Sequence, residues 1–167
     1  LTGDEPLARF RLDHSVAPVP NVEGGEAAAQ RRLREFLNDG LEDYAEGRND
    51  IESGNATRLS PYLHFGHLSA HEILDVLIHR ERWTPARLGK ADGSRTGWWG
   101  MRPGAEALLD QAVTWRELGF NCCATNPVFN EFSSLPEWSR QTLAKHAADR
   151  RERLYGLEAF EAAGTHD

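Results

Sequence analysis

Cysteine is almost missing from this chain of 167 residues, and the two that occur, Cys122 and Cys123, are neighbours. Adjacent thiols are badly placed to bridge each other or to share a tetrahedral metal, which removes a disulfide scaffold and makes a reducing, cytoplasmic setting the natural expectation. Long apolar runs are lacking too. With no stretch of membrane-spanning length, and no basic start followed by an apolar segment, neither a membrane helix nor a signal peptide is indicated. Positive charge is in deficit, with 19 Lys and Arg against 26 Asp and Glu and a net charge of −7. That balance argues against a nonspecific polyanion binder, whose affinity would rest on neutralising phosphates. Strand-period segments, internal repeats and low-complexity tracts are absent as well. What remains is one helical domain with a modest core.

The helical segments can be placed. Residues 1–24 carry several prolines and read as an extended linker, leaving 25–167 as the domain. From Glu26, the positions Leu33, Phe36, Leu37, Leu41 and Tyr44 share one helical face, interrupted only by Gly40. This predicts a helix that delivers Tyr44 and Arg48 near its end. A polar loop over 49–58 then returns the chain to Ser60-Pro61. Ser69 and Glu72 form a capping box for a helix carrying Ile73, Leu74, Val76, Leu77 and Ile78. Residues 84–104 read as a long loop, either a mobile surface insertion or a lid or nucleic-acid contact. Trp98 and Trp99 favour contact, because paired aromatics beside arginines suit stacking on unpaired bases. A helix over about Ala105 to Asn121 sets Gln111 and Trp115 one turn apart, able to act on one ligand. Another begins near Pro136 and carries Trp138, Thr142, Leu143 and His146 before the charged run from Asp149 to Arg153. Arg48, Arg58, Arg95, Arg102 and Arg116 are candidates for a local basic face.

The stretch from Ala56 to Gly66 is the richest in chemistry. Ser60 as a cap, with Pro61 at the first helical position, would leave free amides facing an anion. A phosphate-bearing ligand and a plain helix start are both compatible with it. His64, His67 and His71 have metal-like spacing, but Gly66 and the Ser69 cap interrupt any single helix between them. His166-Asp167 is a lone pair without diagnostic weight. Arg150, Arg151 and Arg153 read as a solvated face that also favours a helix C-terminus.

The run Thr57-x-Leu59-Ser60-Pro61-Tyr62-Leu63-x-Phe65-Gly66-x-x-Ser69, with Tyr44 and Arg48 upstream, resembles the flavin-pyrophosphate segment of the DNA photolyase and cryptochrome family. A second block is similar to class II cyclobutane pyrimidine dimer photolyases in order and distance: Trp115-Arg116-Glu117-Leu118, Trp138, Thr142-Leu143, His146, Asp149, Arg151, Tyr155 and Thr165-His166-Asp167. The resemblance spans roughly residues 30–167 and implies an all-α fold, the N-terminal part of a helical FAD-binding domain. It also implies that the family's α/β antenna domain and the C-terminal half of its helical domain fall outside the chain. The lack of an initiator Met fits an excised segment.

By the same resemblance the activity is deoxyribodipyrimidine photo-lyase, a carbon–carbon lyase in which blue-light-excited reduced FAD passes an electron to a flipped dimer and recovers it. Tyr44, Thr57, Arg58, Leu59 and Ser60 are then the cofactor-binding residues. Trp115 and Gln111 stand at the catalytic positions, and Arg48, Trp115, Arg116 and Glu117 contact DNA. The implied partner is UV-damaged DNA, met by a monomer with no metal. Gln111 departs from the family's pattern, which has a glutamate one turn before the tryptophan. Glutamine donates a hydrogen bond but offers no carboxylate. The departure keeps open a cryptochrome-like FAD photoreceptor without repair activity, and a segment lacking half of its flavin pocket would bind nothing tightly. A shift of one residue would bring Asp110 to that place, although on a regular helix Asp110 points about a hundred degrees away.

Overall fold

A computed structural model describes residues 10–11, 15, 19–94 and 96–166. Most of the expected linker, together with Arg95 and Asp167, lies outside the described residues. Those that are described form helices and turns with no strand. None of these helices is long and apolar enough to cross a membrane. The chain divides into two compact units, residues 1–118 and 119–167.

The first unit starts with α1 (Glu26–Asp39), which buries Ala28, Ala29, Leu33, Phe36 and Leu37 on one face. The expected helix does not run on to Tyr44. It stops at Gly40, where a Cβ would stand 2.9 Å from Asn55 Oδ1 and 3.1 Å from the Phe36 ring, so a larger residue there would have to displace the Asn55 side chain. Tyr44 instead opens a separate short helix, α2 (Tyr44–Gly47). After the polar loop come α3 (Ser60–His64) and α4 (Ala70–Glu81).

The capping box forms as its sequence predicts. Ser69 Oγ accepts from the Glu72 amide at 3.1 Å, and the Glu72 carboxylate accepts from the Ser69 amide at 2.7 Å. At the far end Arg82 enters the left-handed region at φ +47°, and the amides of Arg82 and Trp83 bond back to His79 and Ile78. This is a Schellman ending made without glycine.

The segment 84–104 is a loop with one 3₁₀ turn (Pro85–Arg87), and it is fastened at its base. Gly89 N–H donates to Trp98 O at 2.8 Å, Arg87 reaches the carbonyls of Glu81 and Gly100, and Trp83 Nε1 donates to Trp99 O. The tryptophan pair is split by this anchoring, with Trp99 packed against the core and Trp98 exposed. Next comes α5 (Pro103–Leu109), and the helical path continues through a π-turn (Asp110–Trp115) into α6 (Arg116–Thr125). Leu33, Leu59, Ile73, Leu77 and Leu109 are the largest fully buried side chains and tie these elements into one core. Each contributes about 1.5–3 kcal/mol by leaving water.

The second unit contains a 3₁₀ turn (Phe132–Ser134), α7 (Glu137–Lys145) and α8 (Leu157–Glu161). Its bonds are local: His146 Nδ1 lies 2.7 Å from Asp149 Oδ2, and His166 N–H donates to the Tyr155 hydroxyl at 3.3 Å. None of its described residues is buried.

Candidate functional site

The Thr57–Ser60 turn is held from behind. Arg32 donates to the carbonyls of Thr57 at 2.9 Å and Ala56 at 3.3 Å, and Arg58 adopts φ +56°. Leu59 is buried in the core, which fixes the turn to the body of the unit. The expected cap is not made by Ser60. Thr57 Oγ1 accepts from the Leu59 amide at 3.2 Å and closes its own turn, so Leu59 is already helical and Ser60 falls inside α3 with no side-chain cap bond. No side chain caps the start of α3. What the turn does offer to solvent is the Arg58 guanidinium and the Ser60 hydroxyl, with Thr57 half-buried beside them. A positive charge and hydroxyls on a fixed turn are a donor set that fits a pyrophosphate.

Tyr44 is 7% exposed and meets Phe36 edge-on at 5.2 Å between ring centroids. Burial pushes its hydroxyl above the usual tyrosine range, and neighbouring Arg48 pulls it partly back, so the group stays a protonated donor at neutral pH. Arg48 itself is half-buried and donates to Ala107 O of α5 at 3.3 Å. It thereby grips the helical run that carries Gln111 and Trp115.

That run departs from the expected α-helix. Between Asp110 and Trp115 the spacing widens to a π-turn, in which residues five apart come into register. Trp115 Nε1–H donates to Asp110 Oδ2 at 3.0 Å, and Gln111 Nε2 lies 3.4 Å from the same oxygen. Gln111 and Trp115 are thus brought together through Asp110. The hundred-degree objection to Asp110 holds only for a regular helix. A hydrogen-bonding Asp five residues before an exposed Trp is the signal that helical periodicity passes over.

Of the five arginines, Arg95 lies outside the described residues and Arg58 is exposed, while the other three are held by neighbours. Arg102 is bound to Glu81 at 2.7 Å, Arg116 pairs with adjacent Glu117 at 2.5 Å, and Arg48 is turned onto α5. A groove of about 590 Å³ in the first unit is lined by Asp39, Glu42, Asp43 and Glu46 and would repel phosphate. It takes in none of the candidate residues. In the second unit, Thr142 bonds within α7 to Trp138 O at 2.8 Å, and Tyr155 and Arg153 both hold His166, so parts of the second block are contiguous.

No family model matches the chain. It is similar to curated proteins described as deoxyribodipyrimidine photo-lyase. The identity is 30% over 161 residues with one from Potorous tridactylus, covering 96% of this chain and 27% of that protein. With one from Oryza sativa subsp. japonica it is 34% over 157 residues, 89% of this chain and 28% of that protein. A third, from Methanothermobacter thermautotrophicus, is 33% identical over 164 residues, 98% of this chain and 32% of that protein. The chain therefore spans less than a third of the length of these relatives.

Proposed function

The chain belongs to the deoxyribodipyrimidine photo-lyase family, and from that premise we propose that it forms part of the FAD-binding domain of a class II-like enzyme that repairs cyclobutane pyrimidine dimers. The observation that carries the reading is Trp115, an indole 60% exposed on an unbroken helical run, with Gln111 beside it and Arg48 gripping the helix below. An exposed aromatic on a rigid element suits a base turned out of the duplex, and a dimer is cheap to extrude because its pairing is already impaired.

In this reading Trp115 stacks on the flipped dimer and Gln111 donates a hydrogen bond to one of its carbonyls. Arg116, oriented by Glu117, meets a backbone phosphate, and Arg48 supports the same face. Thr57, Arg58 and Ser60 hold the flavin phosphates, while Leu59 and Tyr44 brace the turn from the core. Bound in its reduced form, FAD would supply the light-excited electron that opens the cyclobutane ring and would take it back. The same reading makes the protein a cytoplasmic monomer acting on UV-damaged DNA. Gln111, in place of the glutamate of the family's pattern, favours one other assignment, a cryptochrome-like FAD photoreceptor that does not repair.

The test is the visible spectrum of the purified intact protein, followed by repair of a thymine-dimer oligonucleotide in blue light and in the dark. Flavin bands with light-dependent repair are expected. Flavin without repair would move the assignment to the photoreceptor, and a protein that retains no flavin would overturn the role given to Thr57, Arg58 and Ser60.

A further inference from the structure

We infer that Asp110 is a positioning residue that sets the plane of Trp115 for stacking on an unpaired base, an inference resting on the proposed role of Trp115. The indole Nε1–H is the only hydrogen-bond donor of that ring, and here it is committed to Asp110 Oδ2 at 3.0 Å. Because the acceptor is a carboxylate, the bond is of the stronger, charge-assisted kind. Gln111 reaches the same oxygen at 3.4 Å, so the carboxylate is itself steadied from a second side.

Only the π-turn permits this. In a regular helix the side chains at 110 and 115 diverge, whereas i-to-i+5 spacing brings them onto one face. The ring above has little packing to hold it, being 60% exposed. An indole free to change rotamer must be ordered when a base stacks on it. One already tethered at its Nε1 avoids most of that cost, which for a single side chain amounts to about a two- to tenfold change in affinity. The tether uses the ring's edge and leaves a face available for the base.

The experiment measures affinity of the intact protein for a labelled single-stranded oligonucleotide containing a thymine dimer. Asp110→Ala is expected to weaken binding about two- to tenfold with flavin content unchanged. Asp110→Asn, which keeps an oxygen acceptor, should recover most of the loss. In a Trp115→Phe background Asp110→Ala should have no further effect, because phenylalanine has no N–H to hold. Losses that simply add would overturn the inference. A spectroscopic reading stands beside this one. The ¹⁵N-indole signal of Trp115, assigned by its disappearance in Trp115→Phe, should move in Asp110→Ala, and an unmoved signal would also overturn it. If Asp110→Ala does not fold, Asp110→Leu replaces it in both measurements. The two levels separate cleanly. Unchanged affinity in Trp115→Ala removes the stacking role itself, whereas a loss there with neutral Asp110 variants removes only the positioning role.

Discussion

Glu81 illustrates what one side chain does in this protein. Its carboxylate is 3% exposed and accepts from Arg102 Nε at 2.9 Å, Arg102 Nη2 at 2.7 Å and the Arg102 amide at 3.3 Å, joining the end of α4 to the start of α5. The side-chain bond from Arg102 holds its pKa below the ordinary 4.5, against the opposing effect of burial. Since the folded value lies below the unfolded one, the unfolded chain takes up the proton first as pH falls. The contribution is therefore fully present above about 4.5 and is lost as pH drops through the lower folded value. Glu81→Ala should cost about 1–3 kcal/mol at pH 7, towards the low end because Arg102 is largely exposed. Urea denaturation checks it: the gap between wild type and variant should narrow below that pH, and a constant gap would mean that the charge on Glu81 contributes nothing. Nothing in the sequence announces this pairing, since the partners are 21 positions apart across an aperiodic loop.

Elements were legible where local chemistry decides them. The Ser69–Glu72 box, the apolar stripe of α1 and the helix after Pro136 follow from side chains within a turn of one another. They were misread where the deciding contact comes from elsewhere. Gly40 reads as a tolerated interruption because the Asn55 side chain that crowds it lies fifteen positions on, and at α3 the side-chain bond is made by Thr57, which accepts from the Leu59 amide, while Ser60 makes no cap bond. The π-turn was invisible because 3.6-residue periodicity assumes the spacing that it breaks. Gly104, at the start of α5, is a further case. A Cβ there would lie 1.7 Å from Leu41 O, so α5 meets the α1–α2 turn backbone to backbone. Gly104→Ala should push these elements apart and lower stability by about 3 kcal/mol or more, the upper range for overpacking. A thermal melt within a degree or two of wild type, on the order of 0.5 kcal/mol, would show that the turn yields freely.

On the scale of the whole chain, the two units differ in how they are held. The first has a continuous core, whereas the second leaves Phe129, Phe132, Trp138, Leu143, Leu157 and Phe160 in solvent and relies on local hydrogen bonds. Protection from amide exchange follows burial and packing. The amides of α7 should therefore exchange at least about tenfold faster than those of α4, although both helices are regular. Equal protection in the two helices would show that the second unit is stabilised by contacts other than its own. Length and composition allow one domain with a modest core and periodicity makes it helical, but neither carries a sign that the last residue packed on this core is Val113. The wide turn at Asp110–Trp115 also bears on descent. A helix that gains a residue and stores it as a looser coil needs no new loop, and everything downstream keeps its old bearing. Pairing this chain with a relative that lacks the wide turn calls for a one-residue gap inside an unbroken helix. Placed a step too early or too late, that gap exchanges Asp110 and Gln111 and turns a change of register into an apparent change of chemistry.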